Sequence, residues 1–562
     1  MNTLLEINNL SVEFPSASGT IRAVDGISFH LDKGETLGIV GESGSGKSVT
    51  ALSIMRLLPG AGKITSGEIL FQTTNNLLAL PEPSLPAVRG AEIAMIFQEP
   101  MTSLNPVFRC GEQVAEAIRL HQKVSLENAR SQTIKLFERV RLADPERIFD
   151  AFPHQISGGQ KQRVMIAMAM SCQPKILIAD EPTTALDVTV QKTILDLMGE
   201  LKTETGLSML FISHDLGVIS EICDRVVVMF QGKIVEEGRV EKILEQPEHP
   251  YTKGLVACRP SLRRKWRRMP TVCDFLEQKN YVAQVVAPAE TAKRRESIFS
   301  QKPVIQVNNL TVRYPVKKNW LGQPVKWLHA VDDVSFEVFP GETFGLAGES
   351  GCGKTTLGRA IARLTETFLG KIFYGNTDLL QLSEEEFHPF RREIQVVFQD
   401  PYSSLNPRVP IGEAITEPMK VHGLHSNEQI RREKAVELLE VTGLKGDHFH
   451  RLPHEFSGGQ RQRICLARAL AVEPKLLICD EVVSSLDVSV QATVLNLLMD
   501  LQEKYGLTYL FISHDLSVIQ QMCDRLLVMN RGKIEALGFP ENIFQQTDNE
   551  YVKNLVEAIP GQ

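Results

Sequence analysis

The sequence predicts an α/β fold written twice in tandem, and three observations carry that prediction. The chain has 562 residues, more than one compact core holds. Its landmarks recur at a long, nearly constant offset. Each copy sets a glycine-rich turn between an apolar strand and a helical run, the pattern of an open sheet with helices packed on it.

The repeat settles the organisation. Leu5-Glu6-Ile7-Asn8-Asn9-Leu10-Ser11-Val12-Glu13-Phe14-Pro15 returns as Ile305-Gln306-Val307-Asn308-Asn309-Leu310-Thr311-Val312-Arg313-Tyr314-Pro315, and Phe211-Ile212-Ser213-His214-Asp215-Leu216 returns unchanged as Phe511 to Leu516. The offset is 300 at these landmarks and 307 at the glycine-rich turn, because the second copy carries extra residues around Trp320 to Trp327. The expected division is a first domain over 1–260 with a short C-terminal extension, a linker over 261–302, and a second domain over 303–562. Arg259, Arg263, Arg264, Lys265, Arg267 and Arg268 crowd the start of that linker. Such a run reads as a solvated linker, or as a strip that meets anionic lipid head groups beside a membrane partner.

Composition bounds the function classes. With 43% apolar and 23% charged residues the chain can build cores. A formal net charge of −7 gives no global basic field, so nucleic acid is not an expected partner. Nine cysteines form no C-x-x-C pair, which argues against zinc knuckles and a disulfide framework. Met1-Asn2-Thr3 runs straight into a strand-like stretch, unlike a signal peptide, and no run of about 18 apolar residues occurs. Any membrane process is then served from the cytoplasmic face, as a peripheral protein held by partners.

The glycine-rich turns fit G-x-x-x-x-G-K-[ST]: Gly41-Glu42-Ser43-Gly44-Ser45-Gly46-Lys47-Ser48 and Gly348-Glu349-Ser350-Gly351-Cys352-Gly353-Lys354-Thr355. Glycines let successive N–H groups turn around phosphate oxygens, the lysine reaches the β- and γ-phosphates, and Ser48 or Thr355 binds Mg²⁺. Leu37, Ile39 and Val40 precede the first turn as a buried strand. The apolar residues from Ala51 to Leu58 follow as a helix that stops at Pro59-Gly60, and Leu357 to Leu364 repeat it. Strand, loop and helix N-terminus together make an anion site.

Ile176-Leu177-Ile178-Ala179-Asp180-Glu181 reads as a buried parallel strand ending in two carboxylates, repeated as Leu476 to Glu481. Ligands of open α/β sheets gather at such strand ends. Asp180 and Asp480 can hold Mg²⁺, and Glu181 and Glu481 can polarise an attacking water. His214 and His514 also close apolar strands, about 34 residues past the aspartates, and that recurrence favours γ-phosphate sensing over a packing role.

With Ser157-Gly158-Gly159-Gln160 and Ser457-Gly458-Gly459-Gln460 the sequence resembles the ABC ATPase superfamily over nearly its whole length outside the linker. Ile156 and Phe456 stand where the family's leading leucine is usual. The resemblance implies, for each copy, a RecA-like core, a helical subdomain and an antiparallel β subdomain. It implies that the signature opens a helix whose N-terminus meets the ATP held by the opposite domain. Lys47 would then face Ser457, and Lys354 would face Ser157, in a closed sandwich with two ATPs. Phe14 and Tyr314 match the aromatic that stacks on adenine. Gln98 and Gln399 match the glutamine that senses Mg²⁺ and the transport partner. Leu186-Asp187 and Leu486-Asp487 match the loop crossing between domains. Glu481-Val482-Val483-Ser484-Ser485 departs from the usual Glu181-Pro182-Thr183-Thr184-Ala185.

Ser103-Leu104-Asn105-Pro106, Ser404-Leu405-Asn406-Pro407 and Gln246-Pro247-Glu248-His249-Pro250-Tyr251-Thr252 resemble the oligopeptide, dipeptide and nickel importers, whose two ATPases are usually separate chains. The implied role is an ATPase that energises import of short peptides, glutathione-like ones included, or of nickel. Its implied partners are two membrane permease subunits and a periplasmic or lipid-anchored binding protein. Cys258 and Cys273 are too few for a four-cysteine iron–sulfur cluster. A soluble tandem-ABC factor acting on ribosomes would share the lack of membrane spans. Its long helical linker fits poorly with Pro270, Pro288 and the missing periodicity of 261–302.

Overall fold

A computed structural model of the chain describes residues 3–16, 19–98, 103–184, 186–277, 282–320, 323–484 and 486–561. Glu99 and Pro100, which follow Gln98, and Ala185 and Ser485, which end the stretches after the two glutamates, lie outside the described residues. The chain forms two compact units. One comprises residues 1–257, 272–279 and 560–562, the other 258–271 and 280–559.

In the first unit a six-stranded sheet orders its strands Lys233–Arg239, Arg225–Phe230, Thr36–Val40, Ser208–Ser213, Ile176–Asp180 and Ile93–Ile96. All neighbours are parallel except the edge pair Lys233–Arg239 with Arg225–Phe230. Strands buried on both faces read as unbroken apolar runs, and Thr36–Val40, Ile176–Asp180 and Ser208–Ser213 are buried at every position. A four-stranded antiparallel sheet, in the order Gly19–Asp32, Thr3–Ser16, Lys63–Phe71, Asn75–Asn76, packs on this core. One apolar cluster joins the two sheets, with Ile7, Val12 and Leu31 from one and Leu37, Ile39, Ile178 and Leu210 from the other. The helices Cys110–Gln122, Leu126–Arg139, Pro145–Asp150 and Gly158–Met170 pack on one another as a third part.

The second unit repeats this plan. Its large sheet runs Ile394–Val397, Leu476–Asp480, Thr508–Ile512, Thr343–Ala347, Arg525–Asn530, Lys533–Gly538, and its small sheet Pro324–Val338, Ile305–Lys318, Leu369–Tyr374, Thr377–Asp378. In both units parallel register brings the glycine loop, the acidic pair and the histidine to adjacent strand ends. Val40 lies opposite Ser213, and Asp180 opposite Ile212.

Two local expectations change. The helix after the first glycine loop spans Lys47–Ile54 and stops before Leu58, because Arg56 turns to φ 51°. Arg89 donates to the carbonyls of Met55 and Arg56 at 2.9 and 2.8 Å, satisfying the helix end. The second copy stops likewise at Ile361, with Arg363 at φ 52°.

The segment 261–302 is also more structured than its sequence suggests. Helix Pro288–Phe299 occupies 12 residues of it, and Pro288 stands in its first turn, where proline starts a helix. Part of the basic run is held by the second unit. Lys265 donates to the Cys523 carbonyl at 3.1 Å, Arg268 pairs with Asp500 at 3.2 Å, and Arg267 pairs with Glu290. Asn496, 2% exposed, accepts from the Met269 N–H and donates to the Met269 carbonyl, both at 2.8 Å. Farther on, Arg294 forms a two-pronged pair with buried Asp524 at 2.8 and 3.0 Å. Among the described residues no helix is long and apolar enough to cross a membrane.

Candidate functional site

Each glycine loop is shaped by close backbone approach. A Cβ on Gly41 would lie 2.2 Å from the Met229 carbonyl oxygen, and one on Gly348 would lie 2.3 Å from that of Met529. Gly46 and Gly353 adopt φ 104° and 111°, a region closed to most side chains, and hand the chain into the helix. Lys47 Nζ donates to the carbonyls of Gly41 at 2.7 Å and Glu42 at 2.9 Å, and Lys354 repeats both bonds at 2.8 and 2.9 Å.

Beside the loop, Ser48 Oγ donates to Asp180 Oδ1 at 3.1 Å, and Thr355 Oγ1 donates to Asp480 Oδ1 at 2.8 Å. Burial pushes the Asp180 carboxyl up to about 6, and the Glu181 charge adds to this while the Ser48 hydroxyl opposes it. Asp480 is raised for the same reasons.

Glu181 and Glu481 begin the turn after the strand with φ 48° and 49°, and their N–H groups donate to Ile212 and Ile512. Their side chains are 8% exposed. Gln98 Nε2 donates to Glu181 Oε2 at 3.1 Å, Thr184 Oγ1 donates to the same oxygen at 3.0 Å, and His214 Nδ1 stands 3.3 Å from Oε1. Burial disfavours the carboxylate, but His214, Lys47 and Thr184 outweigh it and hold Glu181 at about 2. Glu481 meets Gln399 at 2.8 Å and His514 at 3.2 Å and is likewise lowered. The Ser484 hydroxyl turns to the Glu481 backbone carbonyl at 2.9 Å, so the copies differ at this point.

The signature residues build a capped helix start. Ser157 Oγ accepts from the Gln160 N–H at 3.3 Å, and Gln160 Oε1 accepts from the Ser157 N–H at 3.0 Å. Ser457 and Gln460 do the same at 3.4 and 3.0 Å. The two glycines have different reasons. A Cβ on Gly159 would fall 2.7 Å from Val190 Cγ1, and one on Gly459 would fall 2.3 Å from Val490 Cγ1. Gly158 and Gly458 have only ordinary contacts with Leu186 and Leu486. Phe14 is half-buried, with its ring against Gly62, whereas Tyr314 is 40% exposed.

One residue at the site was quoted in the sequence only as a subfamily cue. Tyr251 Oη accepts from the N–H of Glu42, the second residue of the loop, at 2.9 Å, and Tyr551 Oη accepts from that of Glu349 at 3.1 Å. A tyrosine recurring at one offset after the last strand of each copy is the signal that could have found the pair.

Comparison with known proteins identifies the family. A family model described as "ABC transporter" matches residues 24–184 and 331–484, and one described as "Oligopeptide/dipeptide transporter, C-terminal region" matches residues 235–277. The glutathione import ATP-binding protein GsiA of Escherichia coli O157:H7 is 47% identical over 99% of this chain and 89% of its own length. The protein of the same name from Salmonella choleraesuis is 46% identical over the same shares. The chain belongs to the ABC transporter ATP-binding family. It is an ATPase with two ABC cassettes, and those cassettes bind ATP. A solved ATP-binding cassette with ADP and Pi aligns with 42% of this ABC ATPase and 99% of its own chain, at 28% identity and a TM-score of 0.39.

Proposed function

We propose that this chain is the energy-coupling subunit of an ABC importer for short peptides, glutathione-like ones among them. It acts peripherally at the cytoplasmic face of the membrane, through two separate permease subunits, with a periplasmic or lipid-anchored binding protein delivering the solute. The observation that carries this reading is the peptide-transporter C-terminal region matched at 235–277, which contains His249-Pro250-Tyr251. Relatives named for glutathione import support it across nearly the full chain.

In the chemistry of this reading, the two glycine loops wrap the ATP phosphates, and Phe14 and Tyr314 stack on adenine. The signature residues Ser157 to Gln160 and Ser457 to Gln460 offer phosphate a helix N-terminus. Ser48, Gln98 and Asp180, and Thr355, Gln399 and Asp480, would hold Mg²⁺. The fit is sound, since each set offers only oxygen donors and the hydroxyl and carboxylate already meet within 3.1 Å. Bound there, the ion neutralises charge developing on the phosphates. Glu181, ionised and buried, orients the attacking water. His214 and His514, each against its glutamate, would serve as γ-phosphate sensors.

The test is a tagged pull-down of the chain from detergent-solubilised membranes of its own cells, read by mass spectrometry. Two polytopic permease subunits are expected. Recovery of ribosomal proteins without a permease would leave the ATPase chemistry intact and overturn the transport role.

A further inference from the structure

The Gly41–Glu42 peptide group is held at both ends. Its carbonyl accepts from Lys47 at 2.7 Å, and its N–H donates to the hydroxyl of Tyr251 at 2.9 Å. Tyr251 is fully buried, and its ring stacks on Phe230 with centroids 4.2 Å apart. The Gly348–Glu349 peptide is held in the same way, by Lys354 at 2.8 Å and Tyr551 at 3.1 Å. The Tyr551 hydroxyl in turn donates to the Met529 carbonyl oxygen at 3.3 Å, the atom that excludes a side chain from Gly348.

Different residues aim the two tyrosines. In the first copy His249 Nδ1 accepts from the Tyr251 N–H at 3.1 Å, and Glu236 accepts from the N–H groups of Glu248 and His249 at 2.8 and 3.0 Å. In the second, Asn549 Oδ1 accepts from the Val552 N–H at 3.2 Å while its Nδ2 donates to Glu535 at 2.9 Å. The supports differ, but the hydroxyl-to-loop bond is present in both copies.

We propose that Tyr251 and Tyr551 are positioning residues for nucleotide binding. They fix the first peptide of each glycine loop and so set where Lys47 and Lys354 stand when phosphate enters. The proposal rests on the reading of the two loops as phosphate sites. Rotation of the clamped peptide would swing its carbonyl off the lysine and turn the loop's next N–H groups away from a common centre. Phenylalanine keeps the ring packing and leaves the Glu42 or Glu349 N–H without its acceptor, which frees that rotation. The effect falls on ATP affinity, because each tyrosine bonds the glycine loop whose first carbonyl holds the lysine.

The experiment uses the full chain with Tyr251→Phe and Tyr551→Phe together. It measures the Kd of a fluorescent ATP analogue, KM and kcat for ATP, and the melting temperature without nucleotide. Kd and KM are expected to rise about tenfold, equivalent to about 1.4 kcal/mol, with kcat within about twofold of the parent. A lowered melting temperature with unchanged Kd and KM would overturn the proposal and leave a purely structural role. Lys47→Ala with Lys354→Ala separates the two readings. Lost binding there beside unchanged binding in the tyrosine variant overturns the positioning role alone, whereas unchanged binding in the lysine variant overturns both. If the double tyrosine variant cannot be purified, Tyr551→Phe alone is expected to give a biphasic titration, and a single unchanged affinity would overturn the proposal.

Discussion

Gln98 Nε2 donates to Glu181 Oε2 across 3.1 Å, so an exposed loop glutamine reaches a carboxylate that is almost wholly buried. Any displacement of that loop is felt at the carboxylate. Glu181→Gln and Glu481→Gln should each lower ATP turnover about 10²-fold or more, since each removes the carboxylate proposed to polarise the attacking water. Gln98→Ala should cost about tenfold, the scale of one hydrogen bond to a charged group. Steady-state phosphate release measures all three, and a silent glutamate variant would mark its site as structural.

The copies should respond unequally one turn further on. Thr184 donates to the Glu181 carboxylate, whereas Ser484 donates to the backbone carbonyl of Glu481. Thr184→Val should therefore lower turnover about tenfold, while Ser484→Ala stays within about twofold. Equal effects in the same release assay would contradict the asymmetry.

Mg²⁺ dependence should carry a proton signature. Asp180 is raised to about 6, so a proton competes for that carboxylate below this pH and not above it. The Mg²⁺ concentration for half-maximal activity should be flat from pH 7 to 8. It should climb toward about tenfold per pH unit below about 6. Titration at fixed ATP across this range reads the slope, and a flat profile down to pH 5 would remove Asp180 from the ion's shell.

Gly159 is crowded by Val190 and Gly158 is not. Gly159→Ala should destabilise the first domain by about 1–3 kcal/mol, the cost of overpacking. Val190→Ala added to it should restore most of the loss, a coupling that a double-mutant cycle by chemical denaturation measures. Gly158→Ala should be nearly neutral for stability.

Asn496→Ala removes both partners of the Met269 peptide inside the second unit. The loss should be about 3 kcal/mol, two buried backbone groups left unpaired. Limited trypsin digestion should then show new cuts after Lys265 and Arg268 that the parent chain resists.

The glycine loops, acidic pairs, glutamines and histidines were legible because each is a chemically distinctive side chain at the end of an apolar run. Parallel register then brings strand ends together whatever the loops do. The recurrence of Tyr251 as Tyr551 was visible, but its partner was not, because that partner is a backbone N–H that almost any residue offers, 209 positions away. The order in 261–302 was hidden for a related reason. Arginine and lysine there read as solvated, yet carbonyls and carboxylates on later strands and helices receive them, and Pro288 disguised a helix by standing at its start. The reason for Gly159 lay in Val190, a residue of another helix, and spacing within the signature carries no trace of it.

A covalently joined pair of engines could be thought divisible at its joint. Here the stretch before the second cassette supplies backbone that Asn496 and Gln521 hold, at Met269 and Trp266. A start codon placed at 303 would yield a half-protein missing part of its own interior. The fusion is thus inscribed in the folding of the second half, and the gene cannot be returned to two simply by cutting where the repeat is weakest.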